Sequence, residues 1–274
     1  MQTLQASGPI VKSAQEIARM REGGRLLAEV LTMVADQAKA GVRTDELDAL
    51  AEAEIRGRGA VPSFKGYRGF PATICVSINE QVVHGIPGSR KLLSGDIVGL
   101  DLGLVYEGFH ADCAVTVGVG KIAAEARQLI DCTREALERG IAAACAGGRI
   151  GDICAAIQGY IEPFGYGIVR EYVGHGIGRA LHEDPQVPNF GQASRGLVLR
   201  RGMTLALEPM VNIGDWRTRV LADRWTVVTA DKSLSAHFEH TICITDGAPE
   251  VLTRFPGHAG LPAVRGGGER WEKA

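Results

Sequence analysis

The chain has 274 residues, 45% of them apolar, 23% charged and 5% aromatic, and its 30 Lys and Arg against 32 Asp and Glu leave a formal charge of −2. These proportions belong to a soluble globular chain with ample core, and they exclude a disordered polymer, a fibrous repeat and a strongly basic nucleic-acid binder. No apolar run reaches the ~18 residues that span a bilayer. Residues 1–13 lack the pattern of a secretory signal, and the six cysteines form no C-x-x-C pair, which fits reduced thiols in a cytoplasmic protein.

In chain order, Ser13 with Glu16 three positions later predicts a capping box. The helix that follows carries Ile17, Met20, Leu26, Leu27, Val30, Leu31 and Val34 on one side and stops by Gly41. Thr44 is placed to cap a second helix running to about Arg58, with Asp45 and Glu46 in its first turn. Residues 62–69 are Gly-rich and irregular. Strands are expected where Ile74, Val76 and Ile78 alternate, at 81–84, and at 97–105 and 109–117 around a turn at Tyr106-Glu107-Gly108. Helical spacing follows at 123–145 and 150–161, then strands at 168–173, 204–212, 225–229 and 240–245. The Gly- and Pro-rich tail from Pro256 is expected to be mobile.

An internal echo organises these elements. Residues 92–101 resemble 199–208, each with an acid six positions after a glycine on an apolar strand, and Gly41-Val42-Arg43 is echoed by Gly147-Gly148-Arg149. The offsets are 107 and 106 residues. They predict a duplicated unit of two helices and a hairpin, with halves at about 14–120 and 121–250 of a single catalytic domain 1–255, followed by the tail 256–274.

Four acids sit on apolar strands. A lone carboxylate in such a strand is costly to desolvate unless paired, protonated or metal-bound, although any single one is explained by a wet strand face. Asp101 lies on the first hairpin, and a turn centred between Tyr106 and Glu107 puts Asp112 directly opposite it. Like charges in that arrangement repel, so the pair needs a cation. Glu208 holds the echoed position, and Glu239 leads into Ile242 and Ile244. Histidine supplies the rest: His175 in Gly174-His175-Gly176-Ile177-Gly178, His182 seven residues on, and His84 before Gly85-Ile86. His110, His237 and His258 read as ordinary core or surface residues, and His240, next to Glu239, is open. One nitrogen and four carboxylates suit two divalent ions, such as Mn, Fe, Co or Zn, better than one tetrahedral zinc. Two such ions would serve hydrolysis of a carbonyl or phosphoryl bond. P-loop, H-E-x-x-H, G-x-S-x-G and dinucleotide motifs are absent from the sequence.

These segments, with Ile78-Asn79-Glu80, His84-Gly85-Ile86-Pro87, Gly108-Phe109-His110-Ala111-Asp112, Leu207-Glu208-Pro209-Met210 and residues 233–241, resemble the methionine aminopeptidases over about residues 10–254. The resemblance implies an α+β pita-bread fold, a curved antiparallel sheet flanked by helices with internal pseudo-two-fold symmetry. It implies that Asp101, Asp112, His175, Glu208 and Glu239 hold two divalent ions, with Asp112 and Glu239 bridging. A water activated between the metals would attack the first peptide bond, with Glu208 as proton acceptor, while His84 and His182 handle the leaving nitrogen and the charge on the carbonyl oxygen. It further implies a methionine pocket at Tyr67, Phe70, Cys75 and Trp225, and a Na or K site at Asn79, Gln81 and Ser235. Leu181 and Phe64 depart from the family pattern, where an aromatic residue and a cysteine are common, and so alter the pocket's shape.

The implied activity is removal of methionine from nascent polypeptides, near the ribosome in the cytoplasm, preferably before a small second residue. The implied enzyme is a monomer of the minimal bacterial type I, with no nucleic-acid or membrane partner. Two rivals share the fold. Proline-specific peptidases usually carry a larger N-terminal domain, and roughly 70 residues precede the first expected strand here. Non-catalytic relatives generally lose ligands, and all five positions are filled.

Overall fold

A computed structural model describes residues 8–255. The tail expected from Pro256, and His258 within it, lie outside the described residues. The first helix, α1 (Ala14–Gln37), begins with the expected capping box: Ser13 Oγ accepts from the Glu16 N–H at 3.3 Å, and Glu16 Oε2 accepts from the Ser13 N–H at 2.7 Å. The second, α2 (Thr44–Gly57), differs in its cap. Arg43 occupies the capping position, and Thr44 is the first helical residue. Its hydroxyl instead donates to the Gly88 carbonyl at 3.0 Å and accepts from the Gly88 N–H at 2.8 Å. A tertiary contact has claimed the group that local pattern assigned to the helix end.

The strands, in order, are β1 (Val61–Pro62), β2 (Ile74–Ile78), β3 (Gln81–Val83), β4 (Ile97–Tyr106) and β5 (Phe109–Gly118), followed by helices α3 (Ala124–Ala143) and α4 (Ile150–Ile161). Then come β6 (Gly167–Ile168), β7 (Gly174–Gly176), β8 (Glu183–Val187), β9 (Thr204–Leu207), β10 (Met210–Asn212), β11 (Thr218–Val220), β12 (Val227–Thr229), β13 (Ser235–His237), β14 (Glu239–Cys243) and β15 (Glu250–Val251). The main antiparallel sheet runs β1-β4-β5-β14-β9-β7-β8, with β2 also on β4 and β15 on β14. Small sheets β13-β10-β6 and β11-β12-β3 cover its flanks. The expected strand 204–212 is broken at Glu208-Pro209, because proline cannot donate to a ladder. The strands expected at 168–173 and 225–229 shrink to β6 and β12. Strands β1, β7, β11, β13 and β15, of two or three residues, are too short for a readable period, and β8 (Glu183-Asp184-Pro185-Gln186-Val187) carries a proline and no apolar alternation.

The β4–β5 hairpin turns on two residues with positive φ, Glu107 (46°) and Gly108 (81°), as right-twisting strands require. Tyr106 therefore faces Phe109, and the register puts Asp101 opposite Ala114 and Asp112 opposite Gly103. The two acids are diagonal neighbours rather than directly opposed. A slip of two residues preserves the face, so both still point the same way. The alternation also sends Leu100, Leu102 and Leu104 into the buried core that the four helices share with the sheet.

The sequence echo has hydrogen-bonded counterparts. Gly41 N–H donates to the Leu92 carbonyl at 2.8 Å, and Gly147 N–H to the Leu199 carbonyl at 2.9 Å. Leu92 N–H returns to Val42 at 2.9 Å, as Leu199 N–H does to Gly148 at 2.8 Å. Arg43 bridges Lys91, and Arg149 bridges Val198. The two halves meet where β5 pairs with β14, which brings four acid-bearing segments to the middle of one sheet. Among the described residues no helix is long and apolar enough to cross a membrane.

Candidate metal centre and substrate cavity

The four acids and His175 converge on the floor of one cavity of about 150 Å³. Asp101 comes from β4, Asp112 from β5, His175 from β7 and Glu239 from β14, while Glu208 sits at the break after β9. The break is held by Asn189, whose Nδ2 donates to the Glu208 carbonyl at 3.1 Å. Donor atoms of Asp112, His175 and Glu239 lie within 4.8 Å of one another. His175 Nε2 is 3.5 Å from Glu208 Oε1. Its Nδ1 donates to the Gly176 carbonyl at 2.8 Å, which fixes the tautomer and leaves Nε2 with a free lone pair. Side chains at Gly174 or Gly176 would collide with the carbonyl oxygens of Ala206 and Asp184, so only glycine lets this strand lie close enough.

Burial dominates the electrostatics. It raises the Asp101 carboxyl to about 7. Asp112, Glu208 and Glu239 are pushed well above the carboxylate range by burial first and by their neighbours' charges second. Burial lowers His175 and His84 to about 4, and His182 and His237 to about 3, so all four rings are neutral near pH 7. Asp101 Oδ1 and Glu239 Oε1 are enclosed without a hydrogen-bond partner. Enclosed carboxylate oxygens with no donor, beside a free imidazole lone pair, are a donor set that fits divalent cations.

The walls are Phe64, Tyr67, Phe70, Cys75, Leu181 and Trp225, so the expected pocket residues and both departures meet in one place. Trp225 stands edge-on to Phe70 at 5.1 Å between ring centroids. His84, in a left-handed backbone conformation (φ 60°), and His182 complete the lining, together with Arg68. His182 stacks on Tyr67 at 5.4 Å and lies 4.2 Å from the His175 ring. Asn79, Gln81 and Ser235 lie outside the cavity lining. Asn79 and Ser235 are joined by a 2.9 Å hydrogen bond from the Ser235 N–H to the Asn79 carbonyl, and Ser235 Oγ is buried without a partner. The Gln81 side chain turns back to accept from the Ile78 N–H at 2.8 Å.

Two residues escaped the sequence reading. Arg68 enters the lining through its own left-handed kink (φ 48°), for which the sequence gives no signal. His237 reads as ordinary in sequence but stands 3.9 Å from Glu208. Its position two residues before Glu239, at the end of β13 where β14 begins, was the available clue. His240, left open above, points away from the acids and bonds Thr253 Oγ1 at 2.8 Å. His110 meets Ser63 at 2.9 Å.

The sequence matches the metallopeptidase family M24 over residues 18–246. It is 51% identical to a methionine aminopeptidase of Clostridium perfringens, across 89% of this chain and 98% of that relative. A methionine aminopeptidase structure from Thermotoga maritima superposes with a TM-score of 0.88 at 44% identity, covering 90% of this chain and 99% of the other. The prolidase of Pyrococcus horikoshii shares the fold at a TM-score of 0.74 and 23% identity, with 90% of this chain matching 64% of that one. The architecture is therefore the pita-bread fold, and the chain belongs to metallopeptidase family M24 and, within it, to the methionine aminopeptidases.

Proposed function

We propose that the chain performs its family's reaction, metal-dependent removal of an N-terminal methionine, with two divalent ions held by Asp101, Asp112, His175, Glu208 and Glu239. In this reading Asp112 and Glu239 would be the ligands shared by the two ions. The observation that carries it is the convergence of four acids, Asp112 and Glu239 buried and Asp101 and Glu208 partly so, with enclosed oxygens on Asp101 and Glu239 that nothing in the protein satisfies. When bound, the ions supply Lewis acidity to the scissile carbonyl and lower the pKa of a water. Mn, Co, Fe and Zn all suit this donor set.

The chain's own residues do the rest. Phe64, Tyr67, Phe70, Cys75, Leu181 and Trp225 form an apolar slot suited to an unbranched thioether. A cavity of about 150 Å³ has room for one long side chain. Glu208 accepts the proton of the attacking water. His182 Nδ1 lies 2.9 Å from the Tyr67 hydroxyl. With the phenol donating there, the imidazole keeps its proton on Nε2 and can offer it to the substrate carbonyl. His84 serves the leaving nitrogen. Asn79, Gln81 and Ser235 hold a Na or K ion, a reading supported by the unsatisfied Ser235 hydroxyl.

The substrates are nascent polypeptides and peptides with a small second residue, met near the ribosome in the cytoplasm. The enzyme is read as acting as a monomer. Residues 1–255 are read as one catalytic domain with halves 14–120 and 121–250, supported by the same hydrogen-bond pattern recurring within each half. The test compares Met-Ala-Ser with X-Pro dipeptides in the presence of Mn or Co. Methionine release from the first is expected, and cleavage of X-Pro alone would contradict the reading.

A further inference from the structure

His237 has no part in the mechanism above, yet its surroundings are unusual. The side chain is 4% exposed, and Nε2 is enclosed with no hydrogen-bond partner. A polar nitrogen left that way carries an uncompensated desolvation cost. The acid within reach is Glu208, whose Oε2 lies 3.9 Å away, while its Oε1 faces His175 Nε2 at 3.5 Å. One imidazole thus stands at each oxygen of this carboxylate. The spacing is fixed from both sides. Thr116 Oγ1 accepts from the His237 N–H at 2.9 Å and donates to the His237 carbonyl at 2.8 Å. Met210, just past the Glu208-Pro209 break, pairs with His237 across β10 and β13.

We propose that His237 is a positioning residue for Glu208: its Nε2–H donates to Oε2, so that Oε1 is turned toward the ion beside His175. The inference rests on the assignment of Glu208 as a metal ligand. Closing the gap to a hydrogen bond takes a shift of about 1 Å, which side-chain rotation supplies. A ligand carboxylate held from outside presents one oxygen in one direction, and loss of such an outer partner lowers metal affinity or activity by roughly 10–100-fold. The orphaned nitrogen and the second Glu208 oxygen satisfy each other in the same contact.

The test uses the full chain as wild type, H237Q, H237N and H237L, each stripped with chelator, titrated with MnCl2 by calorimetry and assayed at saturating Mn. Glutamine carries an amide N–H to about the place of Nε2, asparagine is too short, and leucine has no donor. H237Q is expected to bind Mn within about threefold of wild type. H237N and H237L are expected to bind roughly 10–100-fold more weakly, with a lower kcat and little change in KM for Met-Ala-Ser. Wild-type affinity in H237N and H237L, or an H237Q as weak as H237L, would overturn the proposal. If H237L does not fold, the contrast between glutamine and asparagine decides. A wild-type protein that binds no Mn would instead overturn the ligand assignment itself, so the two failures are distinct.

Discussion

Tyr67 and His182 share a hydrogen bond of 2.9 Å between the phenol oxygen and imidazole Nδ1, and their rings stack at 5.4 Å. The family resemblance makes Tyr67 a wall of the methionine pocket. With the phenol donating, as in the proposed mechanism, Tyr67 also keeps the His182 proton on Nε2. Y67F keeps the wall and the stack but removes the donor. Its kcat on Met-Ala-Ser should fall about tenfold, the worth of roughly one hydrogen bond, while KM stays within about twofold. A Y67F enzyme with unchanged kcat would reduce Tyr67 to a wall.

Glu208→Gln preserves shape and volume but removes the proton acceptor and weakens a ligand. Turnover should fall by roughly a thousandfold or more, with the circular dichroism spectrum of wild type. Near-normal turnover would remove Glu208 from its assigned role.

The metal-free protein should lose stability as pH rises above about 6.5. Asp101, whose ordinary value is 3.8, stands at about 7 in the folded state, and Asp112, Glu208 and Glu239 are likewise pushed well above their ordinary values, chiefly by burial. The folded state therefore binds more protons than the unfolded chain, and stability falls as those protons leave. The histidines His84, His175 and His237, lowered to about 4, 4 and 3 chiefly by desolvation, act in the opposite sense. Their contribution is complete once pH exceeds the ordinary histidine value of about 6.5. Above it the acids act alone. Thermal melts of chelator-treated protein should shift down between pH 6.5 and 8, and added Mn should raise the melting temperature most at pH 8. A metal-free melting temperature that rises across that interval would contradict the cluster's electrostatics.

Lys12 and Glu183 form an ion pair with side chains only 1% and 4% exposed. The second Glu183 oxygen accepts from the Ala180 N–H at 3.2 Å, so the pair braces the loop that carries His182. Lys12→Ala leaves a buried carboxylate without its cation and should cost about 3 kcal/mol in urea unfolding. A loss below about 1 kcal/mol would make the pair incidental.

What the sequence reveals here follows the reach of its signals. Helix α4 and the long hairpin strands are legible because several turns or alternations repeat the same pattern. The acids on β4, β5 and β14 are legible because a carboxylate amid Ile, Val and Leu is chemically out of place. The one-residue misplacement of the hairpin turn changed the partner of Asp101 from Asp112 to Ala114 but kept both acids on one face. That is why the site survived the error. Thr44 was misread because its hydroxyl serves Gly88, 44 residues away. His237 was passed over because its meaning depends on Glu208, which lies across a sheet rather than along the chain.

The most direct test of the account is methionine release from a Met-X-Ser series by chelator-stripped protein, before and after addition of Mn or Co. The account predicts no release without metal, restored release with it, and the highest kcat/KM when X is glycine, alanine or serine. Undiminished release from the stripped protein, or no release from any member of the series with metal present, would contradict it.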